Sequence, residues 1–326
     1  MNCGTRTECA ELLRRCKIDG IVSNVVKIVY PEAATYLNED SIFDDEQLEN
    51  YFKEYRNLKL TSRITQEFYN KAQLMSTPCS VLSRDAIVQK YFADDECALL
   101  VVDAMGAEWL PMLMMLAQKR NLGIESIAIG EANLPTTTQF NNIHWSYSKR
   151  RLPDIKNFDN IAHNGAEMHE MNRVEDNLAA ALDVIGTKVL PSVAAGLARF
   201  ERVLLTADHG SSRLAMLAWQ AEPKFAQTLA YKIGMEITDW RYCKRVTHEE
   251  CPPELEETLD GEHWVVRGYD RLPKKGGGQG FELHGGATLE ERLVPVVIFS
   301  KVGQFIPKLK TGSKQVQIVE KDDFDL

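Results

Sequence analysis

The chain predicts an α/β fold: a mainly parallel sheet flanked by helices, with a helical segment ahead of it and a cap or lid inserted within it. Three observations carry this reading. From Cys97 onward short apolar runs alternate with amphipathic stretches, as strands and helices do around a shared sheet. Ahead of that point, residues 1–92 lack strand-like runs, and Leu48, Tyr51, Phe52, Tyr55 and Leu58 recur at helical spacing within 44–75. Between about 215 and 280 the pattern turns irregular and aromatic, with Trp219, Trp240, Tyr242 and Trp264, and ends in a glycine-rich run at 276–280. The expected division is therefore an accessory helical segment over 1–92 and a larger domain over 93–326 that carries the insertion, a candidate lid.

Taken in order, strands are expected at 98–102, 126–129, 202–206 and 295–300, and helices at 109–120 and 174–200. The second helix contains Pro191, where a missing N–H calls for a kink or a break. The chain has 326 residues, 44% of them hydrophobic, which is enough for one sizeable core and a smaller one. Apolar stretches such as 98–102 and 293–299 fall far short of the ~20 residues of a membrane span, and no transmembrane segment is expected. The first fifteen residues lack a secretory apolar block. A cytoplasmic protein without a membrane partner is expected. Seven cysteines, none in a C-x-x-C pair, read as reduced thiols. A formal charge of −9 argues against nucleic-acid binding by gross attraction, while leaving room for a local basic groove.

Five motifs carry chemistry. Leu99-Leu100-Val101-Val102-Asp103 places a carboxylate at the end of a buried strand, where ligands bind in parallel α/β sheets; the bland alternative is a turn or capping residue. Thr206-Ala207-Asp208-His209-Gly210 also closes an apolar strand, and offers a hard oxygen beside an imidazole nitrogen, a pairing that suits zinc or manganese. Phe281-Glu282-Leu283-His284-Gly285-Gly286 delivers a histidine from a glycine-flexible loop ahead of a core strand. Leu134-Pro135-Thr136-Thr137-Thr138-Gln139-Phe140-Asn141 offers a hydroxyl at a turn leading toward a helix, either an N-cap or an activated nucleophile. Asp159 and His163, four apart, share a face if their segment is helical, with His169 as a spare nearby.

In this order the motifs resemble the alkaline phosphatase superfamily. The nearest likeness is the PglZ-type domain of BREX phage-resistance systems, carried above all by T-A-D-H-G-S-S-R-L-A and H-G-G-A-T-L-E-E-R-L-V-P-V-V-I-F. It covers about residues 97–301. The resemblance implies an alkaline phosphatase-like core with two divalent ions, zinc or manganese. Asp103, Thr138, Asp208 and His209 would surround one ion, and Asp159, His163 and His284 the other. Three carboxylates, three imidazoles and a hydroxyl are also a sensible inventory for two ions ~3.5–4 Å apart.

Two departures from the superfamily pattern are visible. The proline expected in the nucleophile turn is missing, which leaves Thr136, Thr137 and Thr138 open. Ala162 stands where a glycine is usual ahead of His163. No C-x-P-x-R string occurs, which sets a sulfatase aside, and the threonine-rich turn disfavours a phosphomutase with a serine nucleophile. The implied activity is a phosphodiesterase or phosphatase acting through Thr138 on a phosphodiester such as a nucleic acid or nucleotide. Asn141, Arg213 and the Lys149-Arg150-Arg151 cluster are candidates to contact substrate oxygens. The rival reading is a catalytically weak metal-binding scaffold. In both readings the expected partners are other proteins of a defence system.

Overall fold

The computed structural model describes residues 43–301 except 44, 92, 144–147, 166–173, 230–234, 247–249 and 275–279, together with short pieces at 7–8, 10–12, 15 and 34–37. His169 and most of the glycine-rich run, 276–279, lie outside the described residues. The strands are β1 (Leu82–Ser83), β2 (Cys97–Val101), β3 (Gly123–Glu131), β4 (Arg202–Thr206), β5 (Met235–Ile237), β6 (Tyr242–Arg245), β7 (Leu255–Glu257), β8 (His263–Val266) and β9 (Leu293–Ser300). The main sheet runs in the order β1-β3-β9-β4-β2. Its centre is a near-continuous apolar run buried on both faces, with Val203, Leu204, Leu205, Val294, Val297 and Phe299 all closed to solvent.

The sheet is mainly parallel, as expected, but mixed at its middle. β1 pairs with β3, and β2 with β4, in parallel, but β9 is antiparallel to both β3 and β4. Four strands thus share one direction around a reversed central strand. Alternation of apolar runs with helices does not encode strand direction. The reversal has a use, because the residues leading into β9 lie at the same sheet edge as the carboxyl ends of the other four.

Helix α1 (Glu46–Thr61) starts at Asp45, whose carboxylate accepts the Gln47 and Leu48 amides, and stops at Ser62 in the left-handed region, φ 50°. Its stripe of Leu48, Tyr51, Phe52 and Tyr55 is fully buried in the same apolar core as the sheet. α2 (Gln66–Leu74) follows, and then α3 (Arg84–Lys90). The boundary expected near residue 92 is therefore misplaced. β1 is an edge strand of the main sheet, and α3 packs onto β3, where a Cβ on Gly130 would stand 2.7 Å from the Arg84 Cα. Two exposed residues make too short a strand to register as an apolar run.

α4 (Leu110–Lys119) and α5 (Asn157–Asn164) flank the sheet edge. The long apolar helix is α6 (Val174–Val184), a π-helical turn at Ile185–Val189 and α7 (Leu190–Leu197). The wider π turn just ahead of Pro191 accommodates its missing N–H, and the helix continues through the proline without a break. By length and composition Glu175–Leu197 matches a membrane span, contrary to the expectation that no stretch does. More than half of its apolar window is buried within the protein, as a core helix would be. α8 (Arg213–Gln220) and α9 (Leu289–Arg292) complete the helices around the site.

The insertion is more regular than its sequence suggests. It folds as an antiparallel sheet, β5-β6-β8-β7, over a small apolar cluster of Leu229, Cys243, Leu255, Trp264, Val266 and Leu272. It is also tied to the body. Arg241, fully buried, donates to Glu291 Oε2 (2.7 Å), Gly268 O (2.6 Å) and Asp270 O (2.8 Å), and the Ala287 amide donates to Val266 O (2.9 Å).

Candidate metal centre

The strand ends bring the sequence motifs to one edge. Asp103 follows β2 with its amide donating to Ile155 O (2.9 Å), which sets the lead-in to α5 beside it. Ala104 then takes φ 61°, an uncommon conformation for a residue with a Cβ, and its amide donates to Asp208 Oδ1 (3.0 Å). The His209 amide donates to the same oxygen (2.9 Å), so Asp208 is fixed by one oxygen and presents the other, Oδ2, inward. The loops after β2 and β4 meet at Gly106 and Gly210. A Cβ on Gly210 would stand 2.1 Å from the Glu290 carbonyl oxygen and 2.9 Å from the Gly106 Cα. Gly210→Ala is therefore expected to cost about 1–3 kcal/mol through forced displacement of these loops and to weaken metal binding with it. Urea denaturation and metal titration of the variant check both.

Of the threonine run, Thr138 is the one that faces this cluster. Thr136 is spent on the fold, accepting from the Gly285 amide (2.9 Å) and donating to Gly286 O (2.7 Å), which ties this turn to the His284 loop. Thr138 opens a short 3-10 turn (Thr138–Phe140) and donates to Asp208 Oδ2 (2.8 Å). Its oxygen lies 3.5 Å from Asp103 Oδ1 and 3.4 Å from His209 Nε2. His209 Nδ1 stands 2.9 Å from the Gly210 carbonyl, which assigns the ring proton to Nδ1 and leaves a lone pair on Nε2. That lone pair faces Asp208 Oδ2 at 3.5 Å and Asp103 Oδ1 at 3.8 Å. Two carboxylate oxygens, a hydroxyl and a ring nitrogen converge here.

Asp159, His163 and His284 come together in a second group. α5 places Asp159 and His163 one turn apart, with Asp159 Oδ1 3.2 Å from His163 Nε2 and 3.8 Å from His284 Nε2. The two Nε2 atoms are 3.1 Å apart. Ala162, where a glycine was expected, is buried and offers its carbonyl to the Glu282 amide (2.8 Å), which fastens α5 to the strand leading to His284. The His209 and His284 rings stack at 4.5 Å between centroids and join the two groups.

The charges are poorly balanced without a cation. Burial, with Asp208 and Asp159 beside it, pushes the Asp103 carboxyl up to about 7. Burial also drives His284 down to about 4, helped by His209 and His163, so its ring is neutral and fit to ligate at neutral pH. The Asp159 hydrogen bond holds His163 above its ordinary value. Burial opposes ionisation of Asp159, but its contacts with His163 and His284 outweigh that and hold it low. His284 Nδ1 is buried without a partner among the described residues. The donor sets, O-O-N with a hydroxyl and O-N-N, fit divalent zinc or manganese.

The proposed substrate contacts are corrected. Asn141 is buried and saturated: its oxygen accepts the Asn133 amide (2.7 Å), and its nitrogen donates to the carbonyls of Asn133, Pro135 and Thr137. It braces the Thr138 turn. Arg213 donates to Phe281 O (2.6 Å) and stacks 3.9 Å over the Phe281 ring. Arg150 donates to the carbonyls of Asp94 and Cys97, and Arg151 to Ile143 O and Asp154, while Lys149 is exposed. Residue type made these cations candidates; hydrogen bonds of Arg150 and Arg151 go to nearby backbone and Asp154. No family model matches the chain, and no curated protein matches it.

Proposed function

We propose that this chain is a metal-dependent phosphoric ester hydrolase, a phosphodiesterase or phosphatase in which Thr138 is the nucleophile. Asp103, Thr138, Asp208 and His209 would hold one divalent ion, and Asp159, His163 and His284 another. The observation that carries the reading is the Thr138 hydroxyl, 2.8 Å from Asp208 Oδ2, set at the meeting point of Asp103, Asp208 and His209. The motif likeness to PglZ-type domains of the alkaline phosphatase superfamily supports the same reading, and with it a role beside other proteins of a phage-defence system.

Bound ions of this kind lower the pKa of a coordinated hydroxyl and offset the charge that builds on phosphoryl oxygens. Thr138 Oγ1 attacks phosphorus while the bond from phosphorus to the leaving alcohol breaks, giving a phosphothreonine that water then hydrolyses. The hydroxyl proton is already directed at Asp208 Oδ2, and the amides of Ala104 and His209 keep that carboxylate from turning. Full-length chain with Mn²⁺ or Zn²⁺ should hydrolyse bis-p-nitrophenyl phosphate and lose that activity with EDTA. Tight metal binding with no turnover in any metal would replace the hydrolase by the scaffold reading.

Metal binding should also displace protons. Asp103, at about 7, and His163, raised above its usual value, both hold protons at pH 6 that an ion must expel. Calorimetry in buffers of different ionisation enthalpy should show proton release at pH 6 that diminishes by pH 8, with apparent affinity rising over the same interval. The sign is consistent with linkage: a carboxyl raised from about 4 to about 7 favours the metal-free fold at low pH and opposes it as pH climbs through 7.

A further inference from the structure

Arg84 opens α3 with its side chain fully buried, and its guanidinium is shared between two loops of the metal centre. Nη1 donates to the carbonyl of Asp208 at 2.7 Å, of Asn141 at 3.2 Å and of Ala207 at 3.3 Å. Nε and Nη2 donate to Asp85 Oδ1 at 2.9 and 2.6 Å. The other Asp85 oxygen accepts from Asn133 Nδ2 at 2.9 Å, and the Asn133 backbone is gripped at both N–H and C=O by the Asn141 side chain. A closed polar circuit thus runs from the Asp208 carbonyl through Arg84, Asp85 and Asn133 to Asn141, which bridges back to the Thr137 carbonyl next to Thr138.

We infer that Arg84 is a positioning residue that holds the turn bearing Thr138 in register with the loop bearing Asp208 and His209. β3 and β4, which lead into these two loops, are not hydrogen-bonded to each other, because β9 lies between them. Their loops therefore take no alignment from a shared ladder. A planar guanidinium with several fixed donors reaches both at once, which a single ammonium does not. Gly130 allows the approach, since a Cβ there would collide with the Arg84 Cα and Cβ at 2.7 and 2.9 Å.

The activity arm of the test rests on the hydrolase reading, and the exchange arm does not. In full-length Arg84→Ala, amide hydrogen exchange should rise by at least ~10-fold in both 133–141 and 207–212, and stay unchanged in the β6–β8 sheet. With Mn²⁺ and bis-p-nitrophenyl phosphate, kcat should fall by roughly 100-fold with KM within about threefold, the mark of misplaced rather than missing groups. Guanidinium, added below concentrations that unfold the parent, should restore part of kcat. If the alanine variant does not fold, Arg84→Lys and Gly130→Ala provide the same readouts, and each should loosen both segments together. Faster exchange confined to 84–90, or a loss expressed only in KM, would overturn the inference. A parent chain that binds Mn²⁺ but hydrolyses nothing counts against the hydrolase alone, and the exchange pattern still decides the role of Arg84.

Discussion

Thr138→Ala is expected to lower turnover of bis-p-nitrophenyl phosphate by at least ~10³-fold, about 4 kcal/mol of transition-state stabilisation at 1.36 kcal/mol per decade. The loss should be this large because neighbouring hydroxyls are committed or misplaced. Thr136 bridges Gly285 and Gly286, and only Thr138 of the run contacts Asp103, Asp208 and His209. Both ions should remain, since Asp103, Asp208 and His209 still offer three donors to one and Asp159, His163 and His284 three to the other. Thr138→Ser should retain measurable turnover, and the parent should yield a phosphorylated Thr138 peptide by mass spectrometry after rapid acid quench. Turnover of the alanine variant within tenfold of the parent would exclude Thr138 as nucleophile.

The largest loss of stability is expected from Lys59→Ala, about 3–5 kcal/mol in urea denaturation. Lys59 Nζ stands 2.8 Å from a carboxylate oxygen of Glu108 and 2.8 Å from one of Glu282, with all three side chains almost closed to solvent. Burial alone would lower the Lys59 pKa, but the two carboxylates outweigh it and hold the ammonium above its usual value. Tyr36 and Ser211 complete the cluster, donating to Glu108 at 2.5 Å and to Glu282 at 2.6 Å. Without the ammonium, two carboxylates are left buried against each other, and burial already raises the Glu108 carboxyl. The variant should therefore recover part of its stability when pH is lowered and Glu108 takes up a proton. Lys59→Met combined with Glu108→Gln should be milder than Lys59→Ala. A loss below 1 kcal/mol, far under the range above, would mean that water or rearrangement satisfies the carboxylates.

How much of this was legible in the chain follows from the kind of signal each part leaves. Asp208-His209-Gly210 and Asp103 were legible because each closes an apolar strand, and a polar group there reaches the sheet edge. Thr138 was read from the resemblance rather than from the turn itself, since three consecutive threonines differ only in where the turn aims them. Asn141 and Arg213 were misread for the opposite reason: their chemistry suits a phosphate, yet Asn141 braces a turn and Arg213 packs on Phe281. Arg84 and Lys59 left no trace, because one cation among charged neighbours on a helix reads as solvated surface until the fold buries it. The β-structure of the insertion was hidden by strands of three or four residues, too short to establish alternation.

The reversed central strand also sets an order of assembly. Within the main sheet, β9 alone joins the β1-β3 pair to the β4-β2 pair. One pair leads to Thr138, the other to Asp103, Asp208 and His209, so within the sheet the two halves of the centre are joined through residues 293–300. A ribosome translating this chain releases Asp103, Thr138, Asp159, His163, Asp208 and His209 well before that strand emerges, and His284 just ahead of it. The nascent protein therefore carries most of the centre's side chains before the strand that seats its two halves side by side in the sheet has been made.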